Sequence, residues 1–207
     1  MASGRKREFV IEDVLRKASE RFAAFGFNGT TLMDLEEAMG IGRQSIYETF
    51  GDKRKLYLSC LERYHAEVMQ PLLREIRNAP DVERLPRIVL EAARRSAFEA
   101  PSLSGLLLGS LVELQRVEPD LARIADRLVE ALQNEIAGRF AGRGPVGELS
   151  SAPEAADLAA SLVASFLGVL ALARGERSAR LVDAAVAQAI ASFSFSASPH
   201  AAVCREN

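Results

Sequence analysis

Arg43, Gln44, Ser45, Tyr47, Thr49 and Lys53 fall within one short stretch, "GIGRQSIYETFGDKRKLY". Arginine donates two hydrogen bonds to guanine O6 and N7, and glutamine pairs in the same way with adenine N6 and N7. A tyrosine hydroxyl and a lysine ammonium suit phosphate oxygens. Three cations, Lys53, Arg54 and Lys55, open the helix that follows Gly51-Asp52. A helix N-terminus is already electropositive, so cations there call for an anion. A nucleic-acid phosphate supplies one.

The elements that must carry these residues are short helices. Val10, Val14, Ala18, Phe22 and Phe25 recur at helical spacing. "GFNGT" ends that helix, and Thr31 with Asp34 forms an approximate capping box for a second. Gly40-Ile41-Gly42 makes a turn, "RQSIYETF" a third helix, and Asp52 caps a long fourth. Leu35, Met39, Ile46 and Phe50 point inward in this scheme, with Ile41 packed in the turn. Arg43, Gln44, Ser45, Tyr47 and Thr49 then face out. The second and third helices form a helix-turn-helix, with Arg43 and Gln44 in the first turn of the helix that enters a major groove.

Composition agrees with helices throughout. Of 207 residues, 48% are hydrophobic and only 6% aromatic, with no Trp, and Ala and Leu dominate over β-branched runs. The net charge of −2 neither favours nor opposes a nucleic acid, so local placement has to decide. Two distant cysteines, Cys60 and Cys204, give neither a disulfide framework nor a zinc pattern. "MASGRKREFV" has no apolar signal core. Leu158 to Ala173 is apolar but shorter than a membrane span of about 20 residues. The expectation is a cytoplasmic chain with no membrane partner, metal or cofactor.

At this point the sequence resembles a known family. "TTLMDLEEAMGIGRQSIYETFGDKRKLY" is similar to the DNA-binding head of TetR/AcrR-type transcriptional regulators. Gly26, Thr31, Gly40, Ser45-Ile46-Tyr47, Phe50 and Gly51-Asp52-Lys53 carry the likeness over about residues 9–57. The resemblance implies that the third helix reads operator DNA and that Lys53 and Tyr47 contact phosphate. Thr31, Arg43, Gln44, Ser45, Tyr47, Thr49 and Lys53 are the expected DNA-binding residues. One position departs from the family. Glu36 stands where many members pack a small residue, and the expectation is that it tilts outward.

The fold expectation is all-α, with about nine helices. A basic arm (1–8) precedes a helix-turn-helix domain (9–55), a larger regulatory and dimerisation domain (56–196) and a tail without periodicity (197–207). The fourth helix buries Leu56, Cys60, Leu61, Tyr64, Val68, Leu72 and Ile76, and Pro71 kinks or weakens it. A fifth helix is expected to run to about Glu99, with Asp81 as a cap and Pro86 as a first-turn residue giving rival signals for its start, and further helices over 103–115, 119–141, 152–173 and 178–195. The helix at 152–173 is apolar nearly all round, so it is buried on more than one side. The last two helices therefore pair with those of a second copy in a four-helix bundle.

The resemblance also implies a small-molecule effector among the fourth to eighth helices, and the few internal charges point to an apolar or mixed one. Tyr64, His65, Met69, Phe98 and Phe166 are the expected lining, with Cys60, Glu113 and Gln115 as further candidates. Cys60, His65 and Met69 do not share a face suited to a metal. With only His65 and His200 available, and no phosphate loop or nucleophile–base pattern, an enzyme is not expected. The functional expectation is a repressor released from a palindromic operator by an effector. The alternative is an architectural or adaptor DNA-binding protein that senses nothing.

Overall fold

The computed structural model describes residues 10–142, 152–174 and 179–193. The basic arm, the tail with His200 and Cys204, and the stretch that includes Ser151 lie outside them.

The described residues form helices in this order. The head holds α1 (Ile11–Phe25), α2 (Leu32–Met39) and α3 (Arg43–Phe50). The long α4 runs over Lys53–Tyr64, passes through a π-helical turn at His65–Met69, and continues over Gln70–Arg77. The body continues with α5 (Leu85–Glu99), α6 (Pro101–Val112), α7 (Pro119–Ala141), α8 (Ala152–Ala173) and α9 (Ala179–Ser192).

Local chemistry sets the ends of these helices. The Thr31 hydroxyl accepts from the Asp34 amide, and the Asp34 carboxylate accepts from the Thr31 amide at 2.7 Å, so the capping box is complete. Gly40 closes α2 in the left-handed region at φ 71°, which favours glycine. The Asp52 carboxylate accepts from the Lys55 amide at 2.7 Å and starts α4. Asp81 and Pro86, rival signals for the start of the fifth helix, are both used. Asp81 caps a 3-10 turn at Val82–Arg84, and Pro86 sits in the first turn of α5.

The irregularity in α4 comes just before Pro71. A proline lacks an amide donor and its ring crowds the carbonyl four residues back. The turn widens, and the Gln70 amide reaches the His65 carbonyl, five residues back. The extra residue shifts the helix face by one position. Met69 is buried, where regular spacing calls for Val68, and Leu73 joins Leu72 and Ile76. The Tyr64 hydroxyl meets Met69 Sδ at 3.5 Å and His65 Nε2 lies 2.9 Å from Gln70 Nε2, both five-residue separations.

One continuous core runs from the head into the body. Val14, Ala18, Phe22, Leu35, Met39 and Ile46 join Leu56, Tyr57, Cys60 and Leu61, and then the interior of the body. The ends of α1 differ from the periodic expectation: Val10 and Phe25 are exposed, and Phe27 is buried instead. Arg21 covers the Phe25 ring at 3.8 Å, which explains how that ring tolerates its position.

Glu154–Ala173, 20 residues within α8, is long and apolar enough to cross a membrane, with mean hydropathy 2.0 over an 18-residue window. This corrects the shorter stretch read from Leu158, because the helix begins earlier. Here α8 packs against α5 and α7, burying Ala155, Ala159, Leu162, Val163, Phe166, Val169 and Leu170. Its other face, with Ala160, Ala164, Gly168 and Ala171, is exposed. Phe166 is 1% exposed, so removing its ring opens a cavity. Phe166→Ala is expected to cost about 3–5 kcal/mol, read as a lower urea midpoint with unchanged helix content before the transition.

Candidate nucleic-acid interface

The outer face of α3 is set by what its inner face buries. Ile46 is fully buried, and Phe50 and Ile41 pack partly against the core. Arg43, Gln44, Tyr47 and Thr49 are exposed, as expected, and Ser45 is half-buried. Gly42 precedes the helix without a side-chain cap.

Both base-pairing candidates are held by carboxylates. Arg43 Nε donates to Glu36 Oε1 at 3.0 Å across the turn, and Gln44 Nε2 donates to Glu48 Oε1 at 2.9 Å along α3. Glu36 is therefore half-enclosed and has a partner, where an outward tilt was expected. Gln44 keeps its carbonyl and its second amide hydrogen available, the pair an adenine needs. Thr31 is exposed, but its hydroxyl is engaged with Asp34. Asp34 in turn accepts from Arg21 at 2.7 Å, tying α1 to α2. The hydrogen bonds from Thr31 hold the Asp34 carboxyl below its ordinary range, with Arg21 adding to the effect.

The three cations of α4 have separate fates. Lys53 lies over the Phe27 ring, with Nζ 4.2 Å from the centroid. This partial burial pulls its ammonium below the ordinary value, while the charges of Glu113 and Glu118 oppose the shift. Arg54 donates to Glu118 at 3.0 Å and to Asp120 at 2.8 Å, so its anions are protein carboxylates near the start of α7. Lys55 is exposed. Only part of the expected phosphate cradle is thus free of protein carboxylates.

Glu113, just past the end of α6, accepts from the Phe27 amide at 3.2 Å and the Asn28 amide at 2.9 Å. It holds the turn after α1 rather than lining an effector site. Beneath that turn Phe22, Phe27 and Tyr57 pack together, with edge contacts to Tyr57 at 4.9 and 5.3 Å. The Tyr57 hydroxyl bonds Ser110 at 2.9 Å on α6, and burial pushes its pKa up to about 12, so it stays protonated. Arg174, just past α8, donates to Ala23 O at 2.7 Å and to Gly105 O at 2.8 Å. Lys53 therefore sits where α1, α4 and α6 meet.

Among the other expected lining residues, Tyr64, Met69 and Phe166 are buried inside the body and His65 is half-buried. His65 Nδ1 is buried without a hydrogen-bond partner. Phe98 does not join them. It is 42% exposed, with Arg94 over its ring. The inward stripe of α5 is Val89, Leu90, Ala93 and Ala97, and Phe98 lies one step past it. Gln115 binds the Asp126 carboxylate on the surface, and the Cys60 thiol faces the Leu15 carbonyl at 3.8 Å. An open cleft of about 350 Å³ lies elsewhere, between α5 and α9, beside the Arg94–Asp183 pair.

Two of these contacts were beyond sequence reasoning: Glu36 with Arg43, and Glu113 with the turn after α1. The first had a signal in the unexpected acid at position 36. The second spans 86 residues and had none. Gly26 has φ 74°, and a Cβ there would stand 2.2 Å from Glu113 Oε2. Glu113→Ala is expected to lower stability by about 1–3 kcal/mol. Gly26→Ala should cost at least as much, because it adds backbone strain to the displaced carboxylate. Urea melts of both variants check this, and unchanged midpoints would count against the role given to Glu113.

Residues 14–60 match the family described as bacterial regulatory proteins, tetR family. The HTH-type transcriptional regulator YezE of Bacillus subtilis (strain 168) is 36% identical over 141 residues, covering 63% of this chain and 68% of YezE. The HTH-type transcriptional repressor BdcR of Escherichia coli (strain K12) is 28% identical over 143 residues, covering 69% of this chain and 71% of BdcR. Among solved structures, a cysteine mutant of the TetR family transcriptional regulator CifR, complexed with 26-base-pair operator DNA, superimposes with a TM-score of 0.69. That match has 21% identity and covers 91% of this chain and 99% of CifR. With the helix-turn-helix, the long α4 and the helical body all in place, the chain belongs to the tetR family of bacterial regulatory proteins and is a DNA-binding transcriptional regulator.

Proposed function

We propose that this regulator is a homodimeric repressor that leaves a palindromic operator when a small effector binds inside its body. The observation that carries the DNA half is the division of α3. Ile46 is buried, while Arg43, Gln44, Tyr47 and Thr49 stand outside. In this reading Arg43 and Gln44 contact bases, Ser45 and Thr49 flank them, and Thr31, Tyr47 and Lys53 meet phosphates. Residues 9–55 act as the DNA-binding unit and residues 56–196 as the regulatory and dimerisation unit. The protein works in the cytoplasm, where its DNA is, and carries out no catalysis.

The dimer reading is supported by the unpartnered faces of α8 and α9. Ala160, Ala164, Gly168 and Ala171 are exposed on one helix, and Leu181, Ala184, Ala187 and Ala191 on the other. Small side chains let helices approach closely, and two such pairs complete a four-helix bundle about a two-fold axis. Two heads then meet half-sites about one DNA turn apart, roughly 34 Å, or somewhat further. Repression is supported by BdcR, which is named a repressor.

The effector reading is supported by the widened turn in α4 and by the unpartnered His65 Nδ1 beside it. Among the described residues, the buried polar ones are serines and a threonine, and an interior so poor in charge suits an apolar or mixed ligand. One observation favours the second reading, an architectural DNA binder. Tyr64, Met69 and Phe166 are fully enclosed, so effector entry requires that they part.

Binding of the purified protein to duplexes selected from a randomised library tests the main reading. Arg43→Ala is expected to relax discrimination at one base position by about 1–3 kcal/mol. Lys53→Ala should weaken all duplexes alike and flatten the salt dependence by about one unit of slope. Weak binding without sequence preference, unchanged by either substitution, would contradict the assignment of this face.

A further inference from the structure

Glu36 is an acid on the face that this reading gives to DNA, and an uncompensated carboxylate there repels phosphate. Its side chain is 26% exposed, against 56% for Arg43, so it is the more enclosed member of the pair. An ion pair this open contributes little to stability. Its consequences are geometric and electrostatic.

The contact uses Arg43 Nε at 3.0 Å. The two terminal nitrogens form the end of the guanidinium, and that end can still donate in parallel to guanine O6 and N7. The carboxylate therefore steers the side chain end-on. Meanwhile the paired charges cancel. Arg43 then contributes little to the sequence-independent attraction that releases counterions.

We propose that Glu36 is a specificity-determining positioning residue, which holds Arg43 for guanine and withholds its charge from phosphates of unrelated DNA. The proposal rests on the reading of α3 as the base-reading helix. It assigns a purpose to the one acidic departure in the head. Arg43 unpaired would be a long, mobile cation that gains from any phosphate within reach. Arg43 paired gains from DNA only where its end-on donors meet matching acceptors. Discrimination between sites thus increases at some cost in general affinity.

The test is Glu36→Gln in the full chain, beside wild type, Arg43→Ala and the double variant. The probes are the duplex preferred in a library selection, its single-base substitutions, and an unrelated duplex of equal length. Glu36→Gln is expected to bind the unrelated duplex roughly three- to tenfold tighter and to steepen the salt slope by about 0.9. It should also lose at least fivefold of the preference for guanine at the position that Arg43→Ala identifies. The double variant should match Arg43→Ala, because Glu36 acts through Arg43. Circular dichroism and the thermal midpoint should match wild type, as the pair is exposed. If an Arg43-dependent guanine exists but Glu36→Gln leaves discrimination and salt slope unchanged, the proposal falls and the reading of α3 stands. Equal weakening on every duplex would also overturn it. If Arg43→Ala changes no base position, the base-reading assignment and this proposal fall together.

Discussion

The Glu113 carboxylate binds two consecutive backbone amides at the turn between α1 and α2. Those amides belong to Phe27 and Asn28, and the Phe27 ring beneath them is the surface on which Lys53 lies. Charge-assisted hydrogen bonds of this kind are stronger than neutral ones. They are made here from just past the end of α6, a helix of the body. The position of Lys53, and of α3 immediately before it, is thereby referred to the body rather than to the head alone. Tyr57 with Ser110, Arg174 with Ala23 and Gly105, and Arg54 with Glu118 and Asp120 reinforce the same junction.

This junction gives a physical route between two parts of the chain. The core is continuous from Phe22 through Tyr57 to the interior around Tyr64 and Phe166. A side chain displaced near the widened turn of α4 shares a helix with Lys53. Coupling of this sort needs elements with discrete packings on both sides, and close-packed interiors favour discrete rearrangement over smooth deformation. A single helix that carries Lys53 at one end and the π turn further along suits that requirement.

Much of this architecture was legible in the sequence because it depends on local chemistry. Thr31 with Asp34, Gly40, and Asp52 set helix ends through contacts within a few residues. Ile46 and Leu35 declared the inner face of the helix-turn-helix by spacing alone. Contacts set by the whole fold were not legible. Phe98 and Phe25 are large and apolar, so periodic reading turns them inward, yet each lies on the surface under an arginine. Glu113 and Gln115 looked like polar residues in an apolar helix, but α6 ends before both. The π turn was half-visible. Pro71 announced a defect, but not that the helix would absorb it by one extra residue and exchange Met69 for Val68. The roles proposed for the outward side chains of α3 follow from their residue types, whereas the Glu36 partner of Arg43 emerges only when α2 and α3 are placed side by side.

The central claim is that the outer face of α3 and the start of α4 together make the surface that meets DNA. The most direct measurement is backbone amide NMR of the full-length labelled protein as a preferred duplex is added. The account predicts shift changes concentrated at Thr31, Arg43 to Thr49 and Lys53, with the exposed side of α7 left unperturbed. Changes centred on the body, with residues 43–53 unmoved at saturation, would contradict it.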